Sequence, residues 1–174
     1  MKKGSITHYC YLDSPLGKLT LAGDENFLKM IEFPDQKKAK EIEKSWLYSE
    51  TRFKSESDEL IRYFEGELKK FSIKCQITGT AFQKKVLNEL KKIPYGQTMS
   101  YSDVADRIDH PRAYRAVGSA NGKNRLPIIF PCHRVISNSG ELGGFSGGLS
   151  IKRKLLELEP VSYTHLTLPT NGEV

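Results

Sequence analysis

Tyr101-Ser102-Asp103-Val104-Ala105-Asp106-Arg107-Ile108-Asp109-His110-Pro111-Arg112-Ala113-Tyr114-Arg115-Ala116-Val117-Gly118-Ser119-Ala120 reads as two short helices around a tight turn. The first covers 101–108, Asp109-His110-Pro111 turns the chain, and the second covers 112–120. That spacing matches a helix-turn-helix. Many helical proteins that bind no DNA share it, so its surroundings must decide. Upstream, the character changes around Ile77-Thr78-Gly79-Thr80, where Thr80 is placed to cap a helix over 81–92. Phe82, Val86, Leu87 and Leu90 form its apolar stripe, and Pro94-Tyr95-Gly96 stops it. Downstream, an apolar run over 126–130 enters Pro131-Cys132-His133-Arg134-Val135. Then comes a glycine-rich stretch, Gly140, Gly143, Gly144, Gly147 and Gly148, interrupted by Phe145 and Ser146. Glycine at this density permits close backbone approach, as in a loop that closes over a ligand. A last helix over 150–158 presents Ile151, Leu155 and Leu158 and ends before Pro160.

The first half reads differently. Short alternating stretches over 7–12, 19–22 and 27–33 are punctuated by Ser14-Pro15-Leu16-Gly17 and Gly23-Asp24-Glu25-Asn26, the pattern of a small antiparallel meander. Ser57 and Asp58 are candidate caps for an amphipathic helix over 60–71, with Leu60, Tyr63, Phe64 and Leu68 on one face and Gly66 weakening it. The fold class expected is therefore a two-part α/β fold. A small antiparallel sheet with a helix comes first, then a mainly helical domain with the helix-turn-helix and an active-site loop. The expected division is 1–76 as a structural domain, 77–160 as the DNA-binding and chemical domain, and 161–174 as a tail. Val161-Ser162-Tyr163-Thr164-His165-Leu166 continues no pattern and matches one reading frame of a transposon end used in sequencing libraries. The tail is read as non-native or disordered, and His165 is not counted as a ligand.

With 38% hydrophobic and 28% charged residues among 174, the chain has the composition of a globular domain. No apolar run approaches bilayer length, and no apolar stretch with a cleavage site follows the N-terminal lysines, so no membrane association and a cytoplasmic location are expected. The net charge of +6 is unevenly spread: residues 1–76 hold 14 basic and 13 acidic side chains, residues 77–160 hold 13 and 7. Such a half suits a polyanion but does not require one. Cys10, Cys75 and Cys132 show no paired spacing and no CxxC, and histidines number only four, so neither a disulfide framework nor a zinc site is expected.

Cys132 next to His133 is the strongest local chemical signal. A thiol becomes a strong nucleophile when its proton is taken, and an imidazole can take it directly or through water. Adjacent side chains point apart in an extended segment, whereas a tight helical turn brings them to a common water. Read alone, Cys132 is equally a small buried hydrophobe and His133 a surface or capping residue.

Pro131-Cys132-His133-Arg134-Val135 resembles the active-site signature of the O6-alkylguanine-DNA alkyltransferases, or methylated-DNA–protein-cysteine methyltransferases. The likeness extends through Tyr114-Arg115-Ala116-Val117-Gly118, Asn124, Ser139-Gly140, Ser146-Gly147-Gly148-Leu149 and Glu159. It is strong over 78–160 and looser before. The resemblance implies single-use DNA repair: Cys132 takes the alkyl group from guanine O6, His133 acts through water as base, and Glu159 orients and polarises His133. It makes Asn124 the brace of the turn before the nucleophile. It implies base flipping, with Arg115 as the finger that fills the gap and Tyr101 displacing a phosphate and donating to guanine N3. Tyr101, the Pro127 region and the loop over 143–148 would enclose the base. The carbonyls of Cys132 and Val135 would accept from its exocyclic amine, and the Ser146 amide would face O6. Phe145 stands where the family often has tyrosine and would line the alkyl pocket without a hydroxyl. Gly118 would permit approach to the minor groove, the groove in which this family places its helix-turn-helix.

The implied partner is double-stranded DNA carrying O6-alkylguanine, with O4-alkylthymine as a further substrate, and the expected state is a monomer. No cofactor or metal is implied, since the cysteine and histidine set of the zinc-binding relatives has no match here. A cysteine hydrolase would need an oxyanion hole and a histidine distant in sequence. An alkyltransferase-like lesion binder would lack Cys132. A transcription regulator would need a further domain.

Overall fold

Buried Cys10 and Leu12 alternate with exposed Tyr11 and Asp13 along His8–Ser14 (β1), so one strand face is apolar and the other wet. In the computed structural model, which describes residues 4–34 and 41–159, β1 turns into Gly17–Gly23 (β2), with His8 opposite Gly23 and Ser14 opposite Gly17. Leu28–Glu32 (β3) pairs antiparallel with β2, completing the expected meander. A two-residue strand, Leu47–Tyr48 (β4), adds to β1 in parallel, giving the order β3-β2-β1-β4. Two residues are too few to show alternation in a sequence, so β4 was not anticipated. The outer edge of β3 is satisfied by other segments: Leu28 N donates to Lys74 O, Gln76 N to Leu28 O, and Ile31 N to Arg125 O at 2.8 Å.

The helix on this sheet, Lys54–Phe64 (α1), starts and stops earlier than expected. Ser57 and Asp58 lie inside it rather than capping it, and Phe71 lies beyond it. Fully buried Phe53 anchors its start. Gly66, at φ +77°, ends it: Glu67 N and Leu68 N both donate to Arg62 O, closing the last turn through a left-handed residue. Leu60, Tyr63 and Phe64 supply the buried face.

In the second unit, Ala81–Leu90 (α2) is capped as expected by Thr80, whose hydroxyl accepts from Gln83 N while the Gln83 side chain accepts from Thr80 N. Met99–Ser100 (β5) leads into Tyr101–Arg107 (α3), where Ser100 and Asp103 form a second capping box. The next helix is Tyr114–Gly122 (α4), two residues later than expected, because Ala113 N donates to His110 O and so draws Arg112 into the turn. Asp109, at φ +63°, makes that turn tight. Helices α3 and α4 pack against each other and against α2. Val135–Ile136 (β6) pairs in parallel with β5, Met99 opposite Val135.

The final helix, Leu149–Leu158 (α5), corrects the expected stripe. The fully buried side chains are Lys152, Leu155, Leu156 and, at the cap, Glu159, while Ile151 and Leu158 are half-buried. These four positions keep helical spacing, but two of them are charged, which hid the true inner face from an apolar count.

The chain divides into two units. One comprises Met1–Thr78 with the excursion Arg125–Ile129, the other Gly79–Asn124 with the chain from Phe130 onward. The expected tail at 161–174, with His165, lies outside the described residues. Among the described residues no helix is long and apolar enough to cross a membrane. Thr80→Ala removes the hydroxyl that accepts from Gln83 N, leaves the bond donated by the backbone N of residue 80, and should lower the unfolding free energy by about 1 kcal/mol, read from urea denaturation against the wild type.

Candidate active site

Cys132 opens a single 3-10 turn, Cys132–Arg134, between Pro131 and β6. Its position is fixed from both sides. Asn124 Nδ2 donates to Phe130 O at 2.8 Å, and Cys132 N donates to the same carbonyl at 2.7 Å. The Asn124 side chain also hydrogen-bonds the thiol. Asn121, on α4, donates to Cys132 O at 3.3 Å, and Val135 N donates to that carbonyl as well. The thiol is 1% exposed, and burial pushes it up to about 11, offset in part by Asn124 and by the charge of Lys152. At rest it is a thiol.

His133 is fully buried in the same turn, and its Nε2 lies 2.9 Å from Glu159 Oε1. Burial lowers its basicity, against the pull of Glu159. Its Nδ1 is buried and makes no hydrogen bond among the described residues. Burial alone would raise the Glu159 carboxyl, but the hydrogen bonds and charges of His133 and Arg134 outweigh it and hold Glu159 at about 2. A carboxylate ionised at neutral pH only accepts, so Nε2 carries the imidazole proton and Nδ1 the lone pair.

Tyr101, half-buried at the start of α3, is brought beside this turn by the β5–β6 pairing. Its hydroxyl donates to Gly144 O at 3.4 Å. Gly143, at φ +70°, passes so close that an added Cβ would stand 2.7 Å from the Tyr101 hydroxyl, so only glycine serves there. Gly118 on α4 faces the other part of the same ring, with room for an ordinary contact at 3.8 Å. Arg115 is exposed on α4, its guanidinium 5.9 Å from the centre of the Tyr114 ring. Phe145 is half-buried and Ser146 exposed in the glycine loop, where Gly148 N donates to Phe145 O. Pro127 is buried and belongs to the excursion that clusters with the first unit.

Lys152, which the sequence reading passed over, is fully buried, and its ammonium donates to Val135 O at 2.6 Å and to Gly144 O at 3.2 Å. Burial draws it down to about 8. It ties the strand after Cys132 to the glycine loop. Its signal was a charged residue at i−3 and i−4 from two buried leucines. Arg134 shows in the sequence only as a member of the 131–135 motif, and Asn121 carries no signal beyond a polar residue on an apolar helix face. The Cys132 carbonyl already accepts from two donors, whereas that of Val135 accepts from Lys152 and keeps a lone pair for another.

Among the described residues no group of three or more His, Cys, Asp or Glu side chains is placed to hold a metal ion. Glu159→Gln leaves Arg134 with an uncompensated buried charge and should cost about 3 kcal/mol of stability at pH 7. Because the folded carboxyl is depressed, this stabilisation is complete above its ordinary value of 4.5 and is lost as pH falls through about 2. The difference between wild type and variant in chemical denaturation should therefore shrink across that window.

The geometry can be set beside known proteins. The profile of the 6-O-methylguanine DNA methyltransferase ribonuclease-like domain matches residues 7–77, and that of the DNA binding domain of the same family matches 81–161. A methylated-DNA–protein-cysteine methyltransferase of Methanosarcina acetivorans is 49% identical over 152 residues, which cover 87% of this chain and 97% of the relative. One from Mycobacterium tuberculosis is 46% identical over 154 residues, covering 88% and 93%. A crystal structure of Mycobacterium tuberculosis OGT in complex with DNA has a TM-score of 0.83 at 45% identity, covering 88% of this chain and 93% of that one. Two adjoining domain profiles and full-length likeness in sequence and fold agree: the chain belongs to the 6-O-methylguanine DNA methyltransferase family.

Proposed function

We propose that Cys132 is the acceptor cysteine through which this family member repairs DNA, with His133 as base and Glu159 as the carboxylate that orients it. The family's activity, methyl transfer from O6-alkylguanine in DNA to an active-site cysteine that is consumed, is the activity of this chain. The observation that carries the assignment is the buried pairing of His133 with Glu159 in the same turn as Cys132. In the reaction Cys132 Sγ forms a bond to the alkyl carbon while the bond from that carbon to O6 breaks. The electron pair of the broken bond stays on guanine, and the thiol proton passes through a water to His133 Nδ1. Burial keeps the proton on the Cys132 sulfur at rest, so the base takes it in the course of the transfer.

Asn124 holds the turn that aims the sulfur, and misaiming a nucleophile loses orders of magnitude in rate. Val135 offers its free lone pair to the exocyclic amine of a flipped guanine. Ser146, through its amide, and Tyr101, through its hydroxyl, assist the leaving base. Phe145 lines the alkyl pocket without a hydroxyl. Arg115, exposed on the second helix of the helix-turn-helix, fills the gap the base leaves, and Gly118 lets that helix approach the groove. The basic second half supplies the phosphate contacts. A single chain contributes acceptor, base and carboxylate, which supports a monomer as the working unit, and a reducing compartment such as the cytoplasm keeps the thiol free.

Intact mass measured after mixing with duplex DNA containing one O6-methylguanine should rise by one methyl group on Cys132. Cys132→Ala should show no gain, and a wild type that binds the lesion without gaining mass would refute the assignment. Arg115→Ala should slow transfer from duplex by at least about tenfold but leave transfer from single-stranded DNA near the wild-type rate, because a single strand has no gap to fill. Equal losses on both substrates would remove Arg115 from that role.

A further inference from the structure

We propose that Arg134 is a positioning residue of the transfer reaction: by clamping Glu159 in a two-pronged ion pair, it keeps His133 uncharged at rest, with Nδ1 open to the Cys132 proton. This rests on the reading of Cys132 as acceptor and His133 as base. Arg134 Nε lies 2.9 Å from Glu159 Oε2 and Nη2 lies 2.7 Å from Oε1, so the guanidinium engages both oxygens of the carboxylate that also receives His133. The clamp is itself held. Arg134 Nη1 donates to Ile93 O at 2.6 Å, and the guanidinium sits 5.8 Å from the centre of the Tyr95 ring, whose hydroxyl donates to Leu158 O. Arg134 is 5% exposed, His133 0% and Glu159 1%, so water screens none of these charges.

A buried carboxylate facing an imidazole alone favours a proton on the imidazole, because the alternative is an isolated buried anion. In that state His133 would already hold the proton it must receive. An arginine cannot release its own proton, so Arg134 supplies a permanent countercharge and removes the demand on His133. The other charged and titratable groups facing the pair act in the same direction or weakly. The Lys152 ammonium on α5 disfavours a second positive charge on His133. Cys132 is protonated at rest, Gly96 N donates to Glu159 Oε2 at 3.4 Å, and Tyr95 is pushed up by burial and by Glu159. From α2, Lys91 is directed at the Phe130 ring, 5.1 Å from its centre.

The test is the pH dependence of the first-order methyl-transfer rate, taken with saturating protein on a duplex holding one O6-methylguanine. Arg134→Gln should move the acid limb of the profile to higher pH by on the order of one unit, a loss of up to about tenfold on its acid side. Arg134→Lys keeps the charge but loses the fork, and should move it by less. In a Glu159→Gln background, Arg134→Gln should move the limb by less than it does with Glu159 in place, since only the direct repulsion between Arg134 and His133 then remains. Should Arg134→Gln fail to fold, the Arg134→Lys limb decides. Limbs that coincide with wild type while rates fall evenly at all pH would make Arg134 a structural residue and overturn the proposal. A wild type that places no methyl on Cys132 would instead overturn the underlying reading.

Discussion

The carboxylate of Glu159 is the point on which the rest of the site depends. It is buried at the end of α5 and accepts from His133 Nε2, from two nitrogens of Arg134 and from Gly96 N. Burying a carboxylate is expensive, and it is tolerable only when every lone pair has a donor. That requirement fixes three segments at once: the turn holding the nucleophile, the loop after α2 and the last turn of α5. One charge thus does structural and chemical work. It closes the helical unit, and it fixes the tautomer that leaves His133 Nδ1 as the basic nitrogen.

Around that hub, backbone groups set the remaining geometry. Phe130 O receives both Asn124 and Cys132 N, which bends the chain sharply into the turn. The β5–β6 pair then ties the segment after Cys132 to the residue before Tyr101. The start of the helix-turn-helix and the Cys132 turn are therefore linked through two pairs of residues. No long element is needed, since the order of the pieces is enforced by saturated hydrogen bonds in a dry interior.

Where the sequence was legible, the physics was local. Thr80 and Gln83 announce the start of α2 because a capping box lies within four residues. The meander shows in its alternation, and the two short helices in their turn. The pairing of His133 with Glu159 beside Cys132 was legible only through resemblance, because 26 residues separate the two and no periodicity joins them. What escaped had tertiary causes. The start of α1 is set by buried Phe53 rather than by a polar cap, and β4 exists only by leaning on β1. Lys152 was hidden because a charged residue on an inner face reads as a surface residue until its partners are known.

Lys152 shows how the two ends of the pocket communicate. Its ammonium shares itself between Val135 O, beside the nucleophile, and Gly144 O, in the glycine loop, and Gly144 O also receives Tyr101. The loop itself has little side-chain mass to hold it, and Gly143 must stay bare to pass Tyr101. A loop of this kind would be mobile if left to its own contacts, since glycine gives up the most conformational freedom on ordering. A buried cation bridging two carbonyls supplies the missing restraint with directional bonds, and places positive charge near the Cys132 sulfur. The same group therefore orders the glycine loop and lowers the cost of negative charge on the Cys132 sulfur, two tasks for a lysine whose i+3 and i+4 neighbours on the helix are leucines.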